Sequence, residues 1–237
     1  MFTKRYQDEK NGIDPKSMRF MKPEQFKEHF IQAKANAHTL KYGDGGYQIA
    51  RGMAHSVAGW VEDAFALYVA EELSNRSNQY YVDKVVSYKF EGMDKSKSFK
   101  PDVLCLNQGE NNQLVATHMF DLKTDLGFNR MGFDDFIRNK QEFIQKIRGN
   151  QVWTSVQGPN GYEKIDFSIS SAIQYTIVVV IDWNMDKGDL QGLVDLANQT
   201  DEVNMYILLQ HVKTGQENDI KVNNDAFELL NQLLKKI

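Results

Sequence analysis

Cysteine is almost absent from this chain. Cys105 is the only one among 237 residues, so no internal disulfide can form, and its place in an apolar run marks it as a buried thiol. Long hydrophobic runs are also missing. None approaches the roughly 20 residues that a membrane helix requires, so no membrane partner is expected. The opening stretch MFTKRYQDEKNG lacks the apolar core of a signal peptide, which makes a reducing cytoplasm the expected compartment. Nor is there an excess of basic charge. A formal net charge of −4 neither announces nor excludes a nucleic-acid binder, because phosphate contact depends on where basic groups gather and acidic metal sites subtract from the total. A hydrophobic content of 41% is enough for a sizeable core and sets the chain apart from disordered sequences.

Periodicity supplies the elements. Residues 1–21 read as an irregular polar arm, followed by a helix in which Phe26, Phe30 and Ile31 recur at helical spacing and Pro23 suits the first turn. The glycine cluster at 42–46 breaks it, and a more apolar helix runs from about 53 to 73. Three strand candidates follow at 80–90, 99–106 and 114–123, with short connections suited to antiparallel hairpins. A helix from 133 carries Phe133, Phe136, Ile137, Ile144 and Ile147 on one side and ends near Gly149. A hairpin turns at GPNG, and YTIVVVID at 175–182 reads as a central strand covered on both faces. A helix at 188–199, a strand at 204–212 and a closing helix complete the chain. Two parts are expected: an N-terminal arm and helix at 1–50 and one compact unit at 51–237.

Charged residues stand inside the strands where the core should exclude them. Asp121 and Lys123 point the same way because side chains alternate along a strand, while Leu122 between them points into the opposite layer. If the strands at 99–106 and 114–123 form a hairpin, Asp102 comes alongside, since neighbouring strands lie only about 4.8 Å apart. Two converging carboxylates repel and are costly to bury, so the arrangement calls for a cation. Hard oxygen donors without a histidine or cysteine cluster favour Mg²⁺, with Mn²⁺ as substitute. Lys123 adds a positive charge able to hold a phosphate oxygen or to activate water. Metal-assisted phosphodiester hydrolysis is the chemistry that suits such a set. The competing account is an ion pair on an edge strand.

Pro101-Asp102, followed after eighteen residues by Asp121-Leu122-Lys123, resembles the motif of the PD-(D/E)XK nucleases, the restriction-endonuclease-like superfamily. Asp-x-Lys alone is weak, since it recurs at Asp8, Asp14 and Asp219, but only Asp121 ends a hydrophobic strand and follows the chain's single Pro-Asp dipeptide. The resemblance spans about residues 53–183. It implies an α/β fold with an αβββαβ core, a mixed sheet flanked by helices, here with an N-terminal helical extension. It further implies a Mg²⁺-dependent endonuclease hydrolysing DNA, of restriction type, with a homodimer for two-fold symmetric cutting and an associated DNA methyltransferase as a partner to look for. Repair, junction-resolving or RNA cleavage by the same site, or a nucleic-acid-binding scaffold without turnover, are the alternatives.

The resemblance makes Asp102 and Asp121 metal ligands, with the Leu122 main-chain carbonyl as a further one, and gives Lys123 a catalytic role. Superfamily members often add an acidic residue from the helix before the sheet. Glu62, among Ala58, Gly59, Phe65, Ala66 and Val69, is the favoured choice, with Asp63 as competitor. On the helix after the motif, Arg138, Gln141, Gln145 and Arg148 share a face that is read either as a phosphate-holding stripe or as a solvated surface. Lys95, Lys97 and Lys100 are read either as tracking a nucleic-acid backbone or as a solubilising turn. The hairpin aromatics Trp153, Tyr162 and Phe167 are read either as part of a projecting ribbon that enters a groove or, the commoner use, as packing on the core. His55 is expected to be structural.

Overall fold

The computed structural model describes residues 21–39, 57–73, 78–109, 112–127, 131–158, 161–183, 186–212 and 219–235. The expectations for residues 1–20, the 42–46 glycine cluster and His55 lie outside them.

Two helices lead. Helix α1 (Pro23–Thr39) and helix α2 (Ala58–Leu73) precede five strands: β1 (Gln79–Val82), β2 (Val86–Tyr88), β3 (Lys97–Phe99), β4 (Val103–Gln108) and β5 (Leu114–Lys123). Helix α3 (Phe133–Ile147) is followed by the hairpin β6 (Gln151–Gly158) and β7 (Gly161–Ile169), then β8 (Tyr175–Ile181), α4 (Lys187–Ala197), β9 (Val203–His211), β10 (Ile220–Val222) and α5 (Asn224–Leu234).

The expected strand at 80–90 is divided in two. Asp83 takes a left-handed φ of 57° that no regular strand accommodates, so β1 pairs with β4 while β2 turns away to pair with β3 and β6. The expected strand at 99–106 is divided as well, at Pro101, which has no N–H to give a ladder. The strand at 114–123 and the helix starting at 133 lie where periodicity puts them. Strands β3 and β10, three residues each, are too short to leave a periodic signal.

The ten strands form one mixed sheet flanked by helices, an α/β arrangement. Around its centre the order is β1, β4, β5, β8, β9, β10, with β4 antiparallel to both β1 and β5, and β5, β8 and β9 mutually parallel. The start of β5 pairs with the end of β7 along the edge that β8 takes over from Met119 onward. From β7 the sheet continues through β6, β2 and β3.

Alternation along the strands sends side chains into two cores. Phe120, Leu122, Val178 and Val180 pack with α1, α2 and α5, where Phe26 meets both Phe65 and Phe227 edge to face. Met119, Tyr175, Ile177 and Val179 pack on the other face with the apolar side of α3. Every residue of β8 is buried, as a central strand with both faces covered must be.

The register of β4 against β5 contains a bulge. On the loop side Asn107 pairs with Val115 and Leu106 with Ala116; beyond Cys105, which pairs with His118, the pairing is shifted by one, leaving Thr117 as the extra residue. With the bulge, the last pair is Val103 with Phe120, and Asp102 follows just beyond it, its N–H on the Phe120 carbonyl.

Candidate active site

Asp102 occupies the position just before β4 and is tied through its backbone on both sides. Its N–H donates to the Phe120 carbonyl at 3.0 Å, and its carbonyl accepts from Asp83 N–H at 2.9 Å. Its side-chain Oδ2 accepts from the Leu122 amide at 2.6 Å, so the carboxylate takes the place that a further ladder partner would hold. In a strand the N–H and C=O of one residue leave the same edge, so the Leu122 carbonyl also leaves β5 on the β4 side.

Asp121 is buried, and its two oxygens are engaged by different groups. Lys123 Nζ donates to Oδ1, and the hydroxyl of buried Tyr175 donates to Oδ2 at 2.8 Å. The Asp102 carboxyl is in hydrogen-bonding contact with that of Asp121. Burial raises the Asp102 pKa above the usual carboxylate range, the Leu122 amide opposes that shift, and the Asp121 charge adds to it.

Helix α2 brings a third carboxyl near. Burial and then the negative charge of Asp102 push Glu62 up to about 7, with Lys100 opposing. Asp63, one position on, is exposed, and after burial the strongest influence on it is His29 of α1. Glu62 is therefore the α2 carboxyl that senses Asp102. It stands outside a shared ligand cluster: among the described residues, no three His, Cys, Asp or Glu side chains gather closely enough to hold an ion.

Helix α3 contributes a cation that the sequence reading passed over. Lys140 lies half-buried among the apolar positions of the helix, with Nζ 4.4 Å from the centre of the Tyr175 ring and 5.1 Å from that of Phe136. Burial lowers its pKa, while the charges of Asp121 and Asp102 hold it up. Lys123 also lies over the Phe136 ring, at 5.6 Å, so one aromatic side chain separates two lysines that both serve the aspartates. A signal for Lys140 was present: it is four residues from Phe136 and four from Ile144, on the apolar stripe where a solvated lysine has no place. Tyr175 opens a strand that is otherwise almost wholly aliphatic, and its hydroxyl requires a partner.

The polar stripe on α3 divides. Arg148 donates through Nε to the Ile173 carbonyl at 2.9 Å, through a terminal nitrogen to the Asp201 carbonyl, and pairs with Glu202 at 3.5 Å. Gln145 bonds Glu202, and Gln141 donates to the Leu196 carbonyl at 3.3 Å. These three residues hold α3 to α4 and to the turn before β9; Gln141 and Arg148 are half-buried, while Arg138 and Gln145 are exposed. Of the lysines before β4, Lys100 pairs with Asp83 at 2.6 Å, and Lys95 and Lys97 are exposed. In the hairpin, Phe167 is buried and Tyr162 is 80% exposed, which overturns the reading that both pack on the core; at the tip of a two-stranded ribbon Tyr162 has no layer to pack against.

The donors present fit a hard divalent cation in part. Two touching carboxylates, one of them with a raised pKa, are an arrangement that either keeps a proton or accepts a cation, and the oxygen-only set excludes the soft metals. Magnesium keeps several waters and needs only one or two protein carboxylates, so a two-aspartate site with a main-chain carbonyl meets its needs. Comparison of the sequence with protein-family models and with curated proteins finds no match. The chemical reading rests on these residues and on the topology that joins them.

Proposed function

We propose that this chain is a Mg²⁺-dependent endonuclease of the PD-(D/E)XK type that hydrolyses DNA phosphodiester bonds. The observation that carries the reading is the contact between the Asp102 and Asp121 carboxyls, with Lys123 bonded to Asp121 from the same face of β5. The order α2, β1, β4, β5, α3, β8, with β1, β4, β5 and β8 adjacent in the sheet, supports it as well, being the order expected of an αβββαβ core.

Asp102, Asp121 and the Leu122 carbonyl would hold the ion, which when bound supplies Lewis-acid polarisation of the scissile phosphate. The protein groups have separate tasks. Tyr175 and Lys123 hold Asp121 in one orientation from its two oxygens. Lys123 lies close enough to stabilise negative charge that develops on a phosphoryl oxygen. Glu62, with a pKa near 7, takes up or releases a proton close to neutrality and so fits a group that orients or deprotonates the attacking water. Lys140 offsets the charge of the aspartate pair from the α3 side.

Within this class the finer reading is restriction-type cleavage of duplex DNA, with a homodimer for symmetric cuts. The test is plasmid incubated with purified protein and Mg²⁺ or Mn²⁺, beside Asp121→Asn and Lys123→Ala. Metal-dependent cleavage lost in both variants supports hydrolysis at this site, and discrete bands support the restriction reading. Equal cleavage by all three proteins assigns the activity to a contaminant and removes the proposal.

A further inference from the structure

The sheet region that branches from β7 carries a cleft of about 480 Å³ between the β2–β3 segment and α3. Its volume falls within the ~300–1,000 Å³ of small-molecule sites. Its walls are aromatic. Tyr88, Phe90 and Phe143 line it together with Met93, all of them half-buried, and Phe99 packs edge to face behind Phe143 at 4.9 Å. Around the opening stand the exposed cations Lys95, Lys97 and Lys146. Asp94 is the acid among the lining residues, and Glu142 reaches Lys146 at 3.6 Å, which leaves Lys95 and Lys97 as the main source of positive charge at the mouth.

Apolar ring faces inside a cationic rim are complementary to one kind of ligand: a flat heteroaromatic group attached to an anion. A base still stacked in a duplex cannot present its face to Tyr88 or Phe143, whereas an unstacked base can, with its flanking phosphates at the lysines. Two chain segments run from the cleft to the acid site. Lys97 and Phe99 lead through Pro101 directly into Asp102. Along α3, Phe143 and Lys146 lie about 4.5 and 9 Å of helix rise beyond Lys140.

We propose that the Tyr88–Phe90–Phe143 cleft binds an unstacked nucleobase next to the scissile phosphate, with Lys95 and Lys97 on the adjoining phosphates. The inference rests on the nuclease reading of the Asp102–Asp121 site and gives it a substrate class: strands with an unpaired base, or duplexes from which a base is flipped out.

The test uses the full chain in EDTA, so that nothing is cut, with a short oligonucleotide bearing 5-iodouracil, presented as a single strand and as a duplex. Affinity comes from fluorescence anisotropy and contact from photocrosslinking with peptide mapping. Phe143→Leu keeps an apolar side chain in place, and Lys97→Glu changes an exposed one, so both variants are expected to fold, which circular dichroism and thermal melts check. Phe143→Leu is expected to weaken binding about tenfold, the size of a lost base–ring stack. Lys97→Glu is expected to weaken it while lowering the salt slope by about one. Crosslinks should fall at Tyr88, Phe90 or Phe143. Effects confined to the single strand assign unpaired substrates; effects and crosslinks with the duplex assign base flipping. Unchanged affinity in both variants, or crosslinks elsewhere, overturns the cleft proposal even if wild-type protein cleaves plasmid. Binding through the cleft without any cleavage that depends on Asp121 leaves the cleft standing and removes the nuclease.

Discussion

The Tyr175 hydroxyl donates to Asp121 Oδ2 across the β5–β8 pairing, at 2.8 Å, while Lys123 holds the other oxygen of the same carboxylate. Asp121 thus has one orientation before any ligand arrives. Tyr175→Phe removes one of the two restraints and leaves the ring's packing intact. A hydrogen bond to a charged group contributes about 1.5–3 kcal/mol, so the variant should unfold at lower urea and cleave about tenfold more slowly. Urea melts beside initial cleavage rates check this, and a stability loss with an unchanged rate would confine Tyr175 to structure.

Lys140→Met separates packing from charge. Methionine fills the space against Phe136 and Tyr175 but removes the cation that faces both aspartates. Stability should hold or rise slightly, because a buried ammonium is costly, while cleavage falls by about tenfold or more. Partial recovery by Lys140→Arg would identify the charge as the cause.

Glu62 makes stability depend on pH in a defined direction. A carboxyl whose pKa is about 7 when folded and near 4.5 when unfolded holds its proton more tightly in the folded chain, so its contribution to stability is lost as pH rises from about 4.5 to 7. Discounted for partial contact with water, the loss is about 1 kcal/mol. Metal-free wild type should therefore lose more stability between pH 5 and 8 than Glu62→Gln does, as thermal melts at the two pH values would show. Cleavage should run the opposite way in pH, gaining as Glu62 ionises.

Metal binding gives a reading that is independent of turnover. At pH 8, Mn²⁺ should raise the melting temperature of the wild type, by an amount that grows with concentration, and should fail to do so in Asp121→Asn. Isothermal calorimetry checks the same point. A Mn²⁺ response that survives the substitution would move the ion elsewhere.

Arg148→Ala tests the stripe on α3. Its bonds to the Ile173 and Asp201 carbonyls and its pair with Glu202 join three segments, so its loss should cost about 2 kcal/mol while the metal response at the aspartates stays unchanged. The sequence placed Arg148 on a shared face with Gln141 and Gln145 correctly as a helical stripe. It did not reveal what lay opposite, because helical spacing defines a face without naming the neighbour it meets. Lys140, three residues before Phe143 on the apolar side, is legible in the sequence as an anomaly, a charge on a stripe that otherwise packs on the core.

Local chemistry carried a large part of the architecture. Alternation put Asp121 and Lys123 on one side of β5, and β-branched content marked β8 as central. What local chemistry could not supply was the register. Both β4–β5 alignments bury apolar residues, and the choice between them depends on one extra residue, Thr117, accommodated as a bulge whose cost and gain are settled by packing on two helical layers. The approach of Glu62, Tyr175 and Lys140 to the aspartates is likewise a property of the assembled sheet and helices, since these five residues are between 19 and 113 positions apart from one another and no short-range rule connects them.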